Sequence, residues 1–211
     1  MRAPICGCRG LQNLGMKDET LDIRNHQCRM ISNKGKGVPI VFLHGYMFTS
    51  DVWNEIGILR ILEQRNIPFR AIDMPYGKIS ECSPRTSIPE KNIEVLASVA
   101  GKDPVIVGAS LGGYIALKYG IAHRVRGLLL AAPVMSLQAE LVRHYEHLDA
   151  EVSIVYGDAD NIVSAVEMKK LSRLFRTDLK IYKGASHPAY LDYPEQFIDD
   201  VLQMYAAACA R

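Results

Sequence analysis

Residues 108–112 read Gly-Ala-Ser-Leu-Gly and stand between an apolar run and a stretch of helix-forming residues. The apolar run, 104–107, has the length and composition of a buried strand, and residues 111–122 have those of a helix. A Gly-x-Ser-x-Gly motif in this setting is typical of a nucleophile elbow, a sharp turn that lifts the serine above the edge of a sheet. Glycines are expected on both sides because strand and helix approach too closely there for a Cβ atom. The motif therefore predicts an exposed nucleophile, Ser110.

Strand-like and helix-like stretches alternate along the chain from residue 21 onward. Continuous apolar runs of strand length, such as 38–43 and 127–132, indicate strands that are buried on both faces. Further strands are predicted over 69–72, 104–107, 152–156 and 179–182, and helices over 52–62, 88–99, 111–122, 163–175 and 194–208. Strands separated by helices predict an α/β fold, doubly wound around a mainly parallel sheet.

The length and composition suit one globular domain, which we predict over residues 16–211. Residues 1–15 contain arginine, glycine and cysteine without hydrophobic periodicity, so we predict a poorly ordered extension there. The net charge of +2 provides no basic footprint for nucleic acid. No apolar run approaches the roughly 18 residues that a membrane span needs, so no membrane partner is expected.

The cysteines point to a reducing compartment. They are odd in number, scattered and without the spacing of a zinc site: Cys6, Cys8, Cys28, Cys82 and Cys209. This pattern fits reduced thiols better than a disulfide framework. Residues 1–15 also lack the apolar stretch of about 7–15 residues that a secretory signal requires. We therefore predict a cytoplasmic protein.

The loop after strand 38–43 is a candidate anion site. Ligands of an open α/β sheet bind at the carboxyl ends of its strands, where His44-Gly45-Tyr46 is predicted to lie. Gly45 permits a tight turn that leaves the N–H group of Tyr46 free to point toward Ser110. Together with the N–H group of Leu111, it would form a two-donor oxyanion hole. His44 is expected to brace this loop rather than to act as a base.

A serine hydroxyl needs a base, and two later strand ends supply candidates. Asp158 and Asp160 follow strand 152–156, and His187 follows strand 179–182. The order serine, aspartate, histidine is that of the α/β hydrolases and differs from that of other serine-protease folds. The spacing does not decide between the two aspartates. Asp73 stands one strand too early and is expected to stabilise its own loop.

These motifs together resemble a known family. They are His44-Gly45, Trp53, Asp73-Met74-Pro75, Gly108-Ala109-Ser110-Leu111-Gly112, Gly157-Asp158-Ala159-Asp160 and Gly184-Ala185-Ser186-His187-Pro188. Their spacing resembles that of the α/β-hydrolase superfamily from about Met16 to the C-terminus. Within it, segments 48–53 and 183–195 are similar to the small, lidless α/β-hydrolase-domain-14 type. The resemblance implies an α/β-hydrolase fold, serine hydrolase chemistry and Asp160 as the catalytic acid.

Two positions depart from the family pattern. Many members of the superfamily have glycine directly after the Asp-x-Pro segment. In this chain Tyr76 stands between that segment and Gly77. The elbow ends in an intact Gly112, where mammalian-type members of the domain-14 group interrupt the motif. The second departure weakens the transfer of that group's acyl-transfer activity more than it weakens the expectation of hydrolysis.

The segment 133–151 limits the size of any cap over the site. Its 19 residues suffice for about one helix, such as 137–147, and not for an inserted domain. We therefore expect a minimal cap and an open site. Apolar residues at the strand ends are predicted to border a shallow acyl pocket: Met47, Phe48, Pro133, Val134 and Met135. His144 and His147 lack a third ligand and are expected to be surface residues.

The expected function is that of a serine hydrolase acting on small carboxylic esters with short acyl groups. Ser110 attacks the carbonyl, His187 takes its proton, and Asp160 orients the imidazole. The substrate is a small acyl compound, and neither a metal nor an organic cofactor is expected. Two alternatives remain: an acyltransferase that passes the acyl group to a thiol or amine, and a non-catalytic interaction or ligand-sensing protein on the same scaffold.

Overall fold

The structure is a computed structural model, and it describes residues 15–211. Within them, nine strands form one sheet: β1 (Lys17–Ile23), β2 (His26–Ser32), β3 (Ile40–Leu43), β4 (Phe69–Ile72), β5 (Cys82–Ser83), β6 (Val105–Ala109), β7 (Gly127–Ala131), β8 (Glu151–Gly157) and β9 (Leu179–Tyr182). Their order in space is β1-β2-β4-β3-β6-β7-β8-β9, with β5 paired to β2. The strands from β4 to β9 in this order pair in parallel, whereas β1, β2 and β5 pair antiparallel.

Eight α-helices cover the sheet within the described residues: α1 (Asp51–Glu55), α2 (Ile58–Gln64), α3 (Pro89–Ala100), α4 (Leu111–Ala122), α5 (Ala139–Val142), α6 (Ala165–Phe175), α7 (Ala189–Asp192) and α8 (Pro194–Ala210). Helices α3, α4 and α6 pack on one face, and α1, α2 and α8 pack on the other. Strand β3 shows why both faces are apolar, since Val41 and Leu43 join the first layer while Ile40 and Phe42 join the second. The predicted doubly wound α/β fold is confirmed.

The sequence analysis missed the antiparallel hairpin of β1 and β2. Strand β1 lies at the edge of the sheet, and most of its residues are exposed and polar. An edge strand of this kind lacks the apolar pattern on which the prediction depended. The helix predicted over 52–62 is also divided, because Gly57 adopts a φ of 85° and ends α1 before α2 begins.

The cysteines differ from the expectation. Cys28 and Cys82 face each other across β2 and β5 and form a disulfide. The prediction of reduced thiols is therefore wrong for these two, because strand pairing brings together residues that are 54 positions apart in the chain. Cys209 is free and exposed. Cys6, Cys8 and nearly all of the predicted extension lie outside the described residues.

The connection between β7 and β8 is as short as predicted. It contains helix α5 and a single 3₁₀ turn over Tyr145–His147. The side chain of Tyr145 anchors this turn, since its hydroxyl donates to the carbonyl of Ser136 at 2.6 Å and its ring packs against Phe175. No helix within residues 15–211 is long and apolar enough to cross a membrane.

Candidate active site

Ser110 stands at the turn between β6 and α4, in a backbone conformation that a serine seldom adopts. Its φ of 53° and ψ of −114° lie outside the common regions for a residue with a side chain. Close packing enforces the turn, since a Cβ atom on Gly108 would lie 2.7 Å from the carbonyl oxygen of Gly112. A Cβ atom on Gly112 would overlap the carbonyl of Leu43 at the end of β3. The elbow therefore packs directly against the end of β3, the strand that leads into the Gly45 loop.

The N–H groups of Tyr46 and Leu111 are free to bind an anion. Among the described residues, neither donates a hydrogen bond to another group of the chain. Leu111 is the first residue of α4, and an N–H group in the first turn of a helix has no partner within that helix. The Gly45 loop lies against the elbow, because a Cβ atom on Gly45 would be 3.7 Å from that of Ser110. This arrangement suits the predicted pair of donors.

His44 holds the Gly45 loop from inside. Its ring is completely buried, and Nε2 accepts a hydrogen bond from the N–H of Met74 at 2.9 Å. Nδ1 therefore carries the proton of the neutral ring and donates it to the carbonyl of Gly45 at 2.8 Å. Burial lowers the pKa of His44, which keeps the ring neutral. Its position is that of a brace, as the sequence analysis expected.

The structure brings Asp160 and His187 together. Nδ1 of His187 lies 2.7 Å from Oδ2 of Asp160, whose side chain is completely buried. The other oxygen of Asp160 accepts the N–H groups of Ile162 at 2.7 Å and Val163 at 3.0 Å. These bonds fix the carboxylate, and His187 in turn keeps Nε2 available for a second partner.

The two other aspartates serve their loops. Asp158 accepts the N–H of Gly184 and so fastens the loop after β8 to the turn after β9. Asp73 is buried and accepts the N–H groups of Ser50 at 2.5 Å and Glu81 at 2.6 Å. Neither carboxylate bonds to a histidine, so the geometry favours Asp160 as the partner of His187.

Ser110 and His187 line one cavity of about 230 Å³. Its remaining walls are apolar or backbone: Gly45, Tyr46, Met47, Phe48, Ala131, Ile162, Pro188 and Tyr190. An aromatic cluster supports one wall, because the Tyr190 ring centroid lies 5.1 Å from that of Trp53 and 6.3 Å from that of Phe48. Met47 and Phe48 thus occupy the predicted position.

Pro133, Val134 and Met135, which were also predicted to border the pocket, are not among the residues that line this cavity. Ala132 has a φ of 43° after β7, and Pro133 packs over Gly113 in the first turn of α4. The N–H of Val134 donates to the carbonyl of Ser110 at 3.3 Å, and its side chain is partly buried against the core, while Met135 is exposed to solvent. A position at a strand end does not by itself fix the direction of the following side chains.

The sequence analysis missed four residues that line the cavity, Ala131, Ile162, Pro188 and Tyr190. The last three lie within three positions of Asp160 or His187 in the sequence. Their proximity to the predicted catalytic residues was the signal that could have found them. Among the described residues, no three His, Cys, Asp or Glu side chains come together as metal ligands.

Comparison with known proteins shows which family this chain resembles in sequence. Residues 40–149, more than half of the chain, match the model of the alpha/beta hydrolase family. "Putative protein-lysine deacylase ABHD14B" from Homo sapiens is 31% identical over 166 residues, which cover 75% of this chain and 78% of that protein. "Protein ABHD14A" from Danio rerio is 29% identical over 169 residues and 76% of this chain, but the match spans only 61% of the relative's length.

Solved structures show the same fold. A CIB-like hydrolase from Thermoplasma acidophilum superposes with a TM-score of 0.77 at 21% identity, over 89% of this chain and 96% of that one. Carboxylesterase CesB from Bacillus subtilis gives a TM-score of 0.74 at 14% identity, over 92% and 94% of the two chains. The sequence matches and the architecture agree, and the chain belongs to the alpha/beta hydrolase family, in which it resembles the ABHD14 proteins.

Proposed function

We propose that this protein is a serine hydrolase that cleaves small carboxylic esters with short acyl groups through an acyl-serine intermediate. The observation that carries the proposal is the Asp160–His187 hydrogen bond of 2.7 Å beside an apolar cavity that Ser110 also lines. A fixed carboxylate, an imidazole and an elbow serine at one cavity are the parts that acyl transfer requires.

In the proposed mechanism, Ser110 Oγ attacks the carbonyl carbon while Nε2 of His187 takes its proton. The N–H groups of Tyr46 and Leu111 stabilise the negative oxygen of the tetrahedral intermediate. Asp160 holds the ring with Nδ1 protonated and stabilises the imidazolium that forms. His187 then gives the proton to the departing alkoxide, which leaves an acyl-serine. Water, activated by the same histidine, releases the carboxylic acid and restores Ser110.

The cavity supports short acyl groups. Its volume of about 230 Å³ is below the range of roughly 300–1,000 Å³ that is typical of sites for drug-sized ligands. The wall formed by Phe48 and Tyr190 leans on the buried Trp53, so it cannot move aside easily. An acyl chain of a few carbons fits such a cavity, whereas a longer one must leave part of its surface in water.

A fluorophosphonate probe tests the proposal directly. We expect it to label Ser110, and we expect hydrolysis of 4-nitrophenyl acetate by the wild type. Ser110→Ala should remove the labelling. Its matched control is Ser136→Ala, which should keep it, since Ser136 is buried outside the cavity. Absence of both labelling and turnover would refute the proposal. Labelling without turnover of any acyl compound would support the non-catalytic alternative instead.

A second candidate function is the removal of acyl groups from lysine side chains of proteins. It is favoured by the name of ABHD14B and by the open site, where Tyr46 and Met47 are exposed at the cavity. An acetyl-lysine side chain is narrow enough to enter without a lid that must move. Release of acetate from an acetyl-lysine peptide, lost in Ser110→Ala, is the test. Transfer to a thiol or amine acceptor would appear in the same assay as acylated acceptor in place of acetate.

The cytoplasmic location inferred from the cysteines stays a prediction. The disulfide between Cys28 and Cys82 removes part of its support, since disulfides persist mainly in oxidising compartments. Fractionation of the native host, with mass measurement of the alkylated protein before and after reduction, tests both points.

A further inference from the structure

A second cleft, of about 360 Å³, shares Tyr46 with the apolar cavity. The side chains and backbone that line it are Tyr46, Pro75, Tyr76, Gly77, Lys78, Arg85, Thr86 and Ser87. Tyr46 lines both spaces, and its N–H is one of the two donors of the proposed oxyanion hole. The residue that would help to bind the reacting carbonyl oxygen therefore also lines the cleft.

The backbone around the cleft is held by several hydrogen bonds. The N–H of Lys78 donates to the carbonyl of Tyr46 at 2.8 Å, and the N–H of Thr86 donates to the carbonyl of Pro75 at 3.0 Å. The buried side chain of Asn92 donates to the carbonyl of Thr86 at 3.0 Å. One nitrogen of Arg85 donates to the backbone carbonyl of Lys78, and both residues line the cleft. The cleft is thus a built feature of the loop after β4.

The charge of the cleft is positive and uncompensated. Within residues 15–211, neither Lys78 nor Arg85 forms a salt bridge, and no carboxylate lines the cleft. The acidic residues of the same loop are engaged elsewhere, since Glu81 faces Arg29 at 3.5 Å and Asp73 accepts two backbone N–H groups. Two cations that line one cleft without a counter-charge, together with the hydroxyl-bearing residues Thr86 and Ser87, form a site suited to an oxyanion.

The apolar cavity and the cleft suit different parts of a substrate. The apolar cavity has no charged or titratable wall other than His187 and Tyr residues, so it suits the acyl group and would exclude a permanent charge. The cleft, with its two cations, suits a group that carries a negative charge. A substrate whose carbonyl lies at the Tyr46 N–H, with its acyl group in the cavity, can extend its alcohol, thiol or amine portion past the Tyr46 ring.

We propose that the Lys78–Arg85 cleft binds a carboxylate or phosphate group carried on the leaving-group portion of the acyl substrate. The inference rests on the proposed function of Ser110 and adds the class of compound that the site selects. Screened charges at a surface contribute modestly, so each cation is expected to account for a few-fold preference and the pair for about tenfold.

The test compares two acetate esters that differ in the charge of the leaving group, 4-nitrophenyl acetate and 5-acetoxy-2-nitrobenzoate. We expect the ratio of kcat/KM, anionic over neutral, to fall about tenfold in the double variant Lys78→Gln/Arg85→Gln and to be largely retained in Arg85→Lys. The matched control is Lys169→Gln/Arg60→Gln, which removes two exposed cations from helices α6 and α2 and should leave the ratio unchanged. Rising salt should lower the ratio in the wild type and have little effect on the double variant.

An unchanged ratio in Lys78→Gln/Arg85→Gln would overturn the proposal, including the case in which both esters lose activity equally. An equal fall in the control double variant would also overturn it, because the effect would then be one of overall charge. Competition by acetate and by inorganic phosphate at constant ionic strength then assigns the anion, as the one whose inhibition of the wild type is lost in Lys78→Gln/Arg85→Gln; acetate that binds as the reaction product at Ser110 would inhibit both proteins alike. Failure of the proposed function is separate, since it would appear as turnover of both esters that survives Ser110→Ala.

Discussion

Oδ2 of Asp160 lies 2.7 Å from Nδ1 of His187, whereas Asp158, two positions earlier, accepts the N–H of Gly184. The two carboxylates stand on one tight loop, and backbone geometry gives them different partners. The loop is tied to the histidine loop by the N–H of Ala159, which donates to the carbonyl of Ala185 at 3.0 Å. This bond helps to fix the register in which Asp160, and not Asp158, faces the histidine.

The first prediction follows from that difference. Asp160→Asn should lower kcat on a short-chain ester by roughly 10³–10⁴-fold, because an amide favours the wrong tautomer of the histidine. Asp158→Asn is the matched control and should cost far less, since an amide oxygen can still accept the N–H of Gly184. Steady-state kinetics with 4-nitrophenyl acetate measure both. A larger loss in Asp158→Asn would show that the acid is assigned to the wrong residue.

The second prediction concerns the nucleophile. Ser110→Ala should abolish fluorophosphonate labelling and reduce ester turnover by roughly 10³-fold or more, as for loss of a triad member. The folded state should persist, because the strained turn is held by Gly108 and Gly112 and not by the serine hydroxyl. Circular dichroism and thermal unfolding check this. Turnover in Ser110→Ala equal to that of the wild type would reject Ser110 as the nucleophile.

Much of this site could be predicted from the sequence because its parts follow strands. The positions of Ser110, Asp160 and His187 are fixed by the ends of β6, β8 and β9, and parallel strands bring those ends to one edge of the sheet. The apolar runs of β6 and β8 made these strands visible in the sequence, whereas β9 is a short strand that is mostly not buried. The fold class was predictable for the same reason.

The walls of the cavity were less predictable because they depend on how loops turn. Val134 follows β7 closely in the sequence and its N–H donates to the carbonyl of Ser110 at 3.3 Å, yet its side chain packs against the core and does not line the cavity. The β1–β2 hairpin and the disulfide share another difficulty, since edge strands are polar and long-range pairing leaves no local pattern. Long-range packing decides these features.

The third prediction is a dependence of stability on pH that originates in His44. Burial lowers its folded-state pKa below the ordinary value of about 6.5, with the hydrogen bond to the Gly45 carbonyl and the charge of Asp73 offsetting part of the shift. The unfolded chain then binds more protons as pH falls below about 6.5, so stability is present above that pH and is lost below it. The slope for one group is at most about 1.4 kcal/mol per pH unit.

Urea unfolding between pH 5 and pH 8 tests this prediction. The difference in unfolding free energy between the wild type and His44→Gln should shrink as pH falls, since glutamine can accept the Met74 N–H without titrating. NMR of the wild type should show the His44 ring titrating below the ordinary histidine pKa of about 6.5. A His44 ring that titrates near pH 6.5 in the folded protein would contradict the assignment.

The last prediction concerns the acyl group. We expect kcat/KM to be highest for acetyl to butyryl esters and to fall for long chains, because each methylene gains about 1–3 kcal/mol only while the cavity can bury it. Phe48→Ala removes part of the wall beside Tyr190 and should shift the optimum to longer chains. Phe175→Ala is the matched control, since Phe175 is also partly buried but packs against Tyr145 outside the cavity. Because the 133–151 segment provides no lid, activity should rise smoothly through the solubility limit of the substrate. A wild-type preference for chains of about twelve carbons or more, or a jump in activity above that limit, would mean that this segment encloses the site after all.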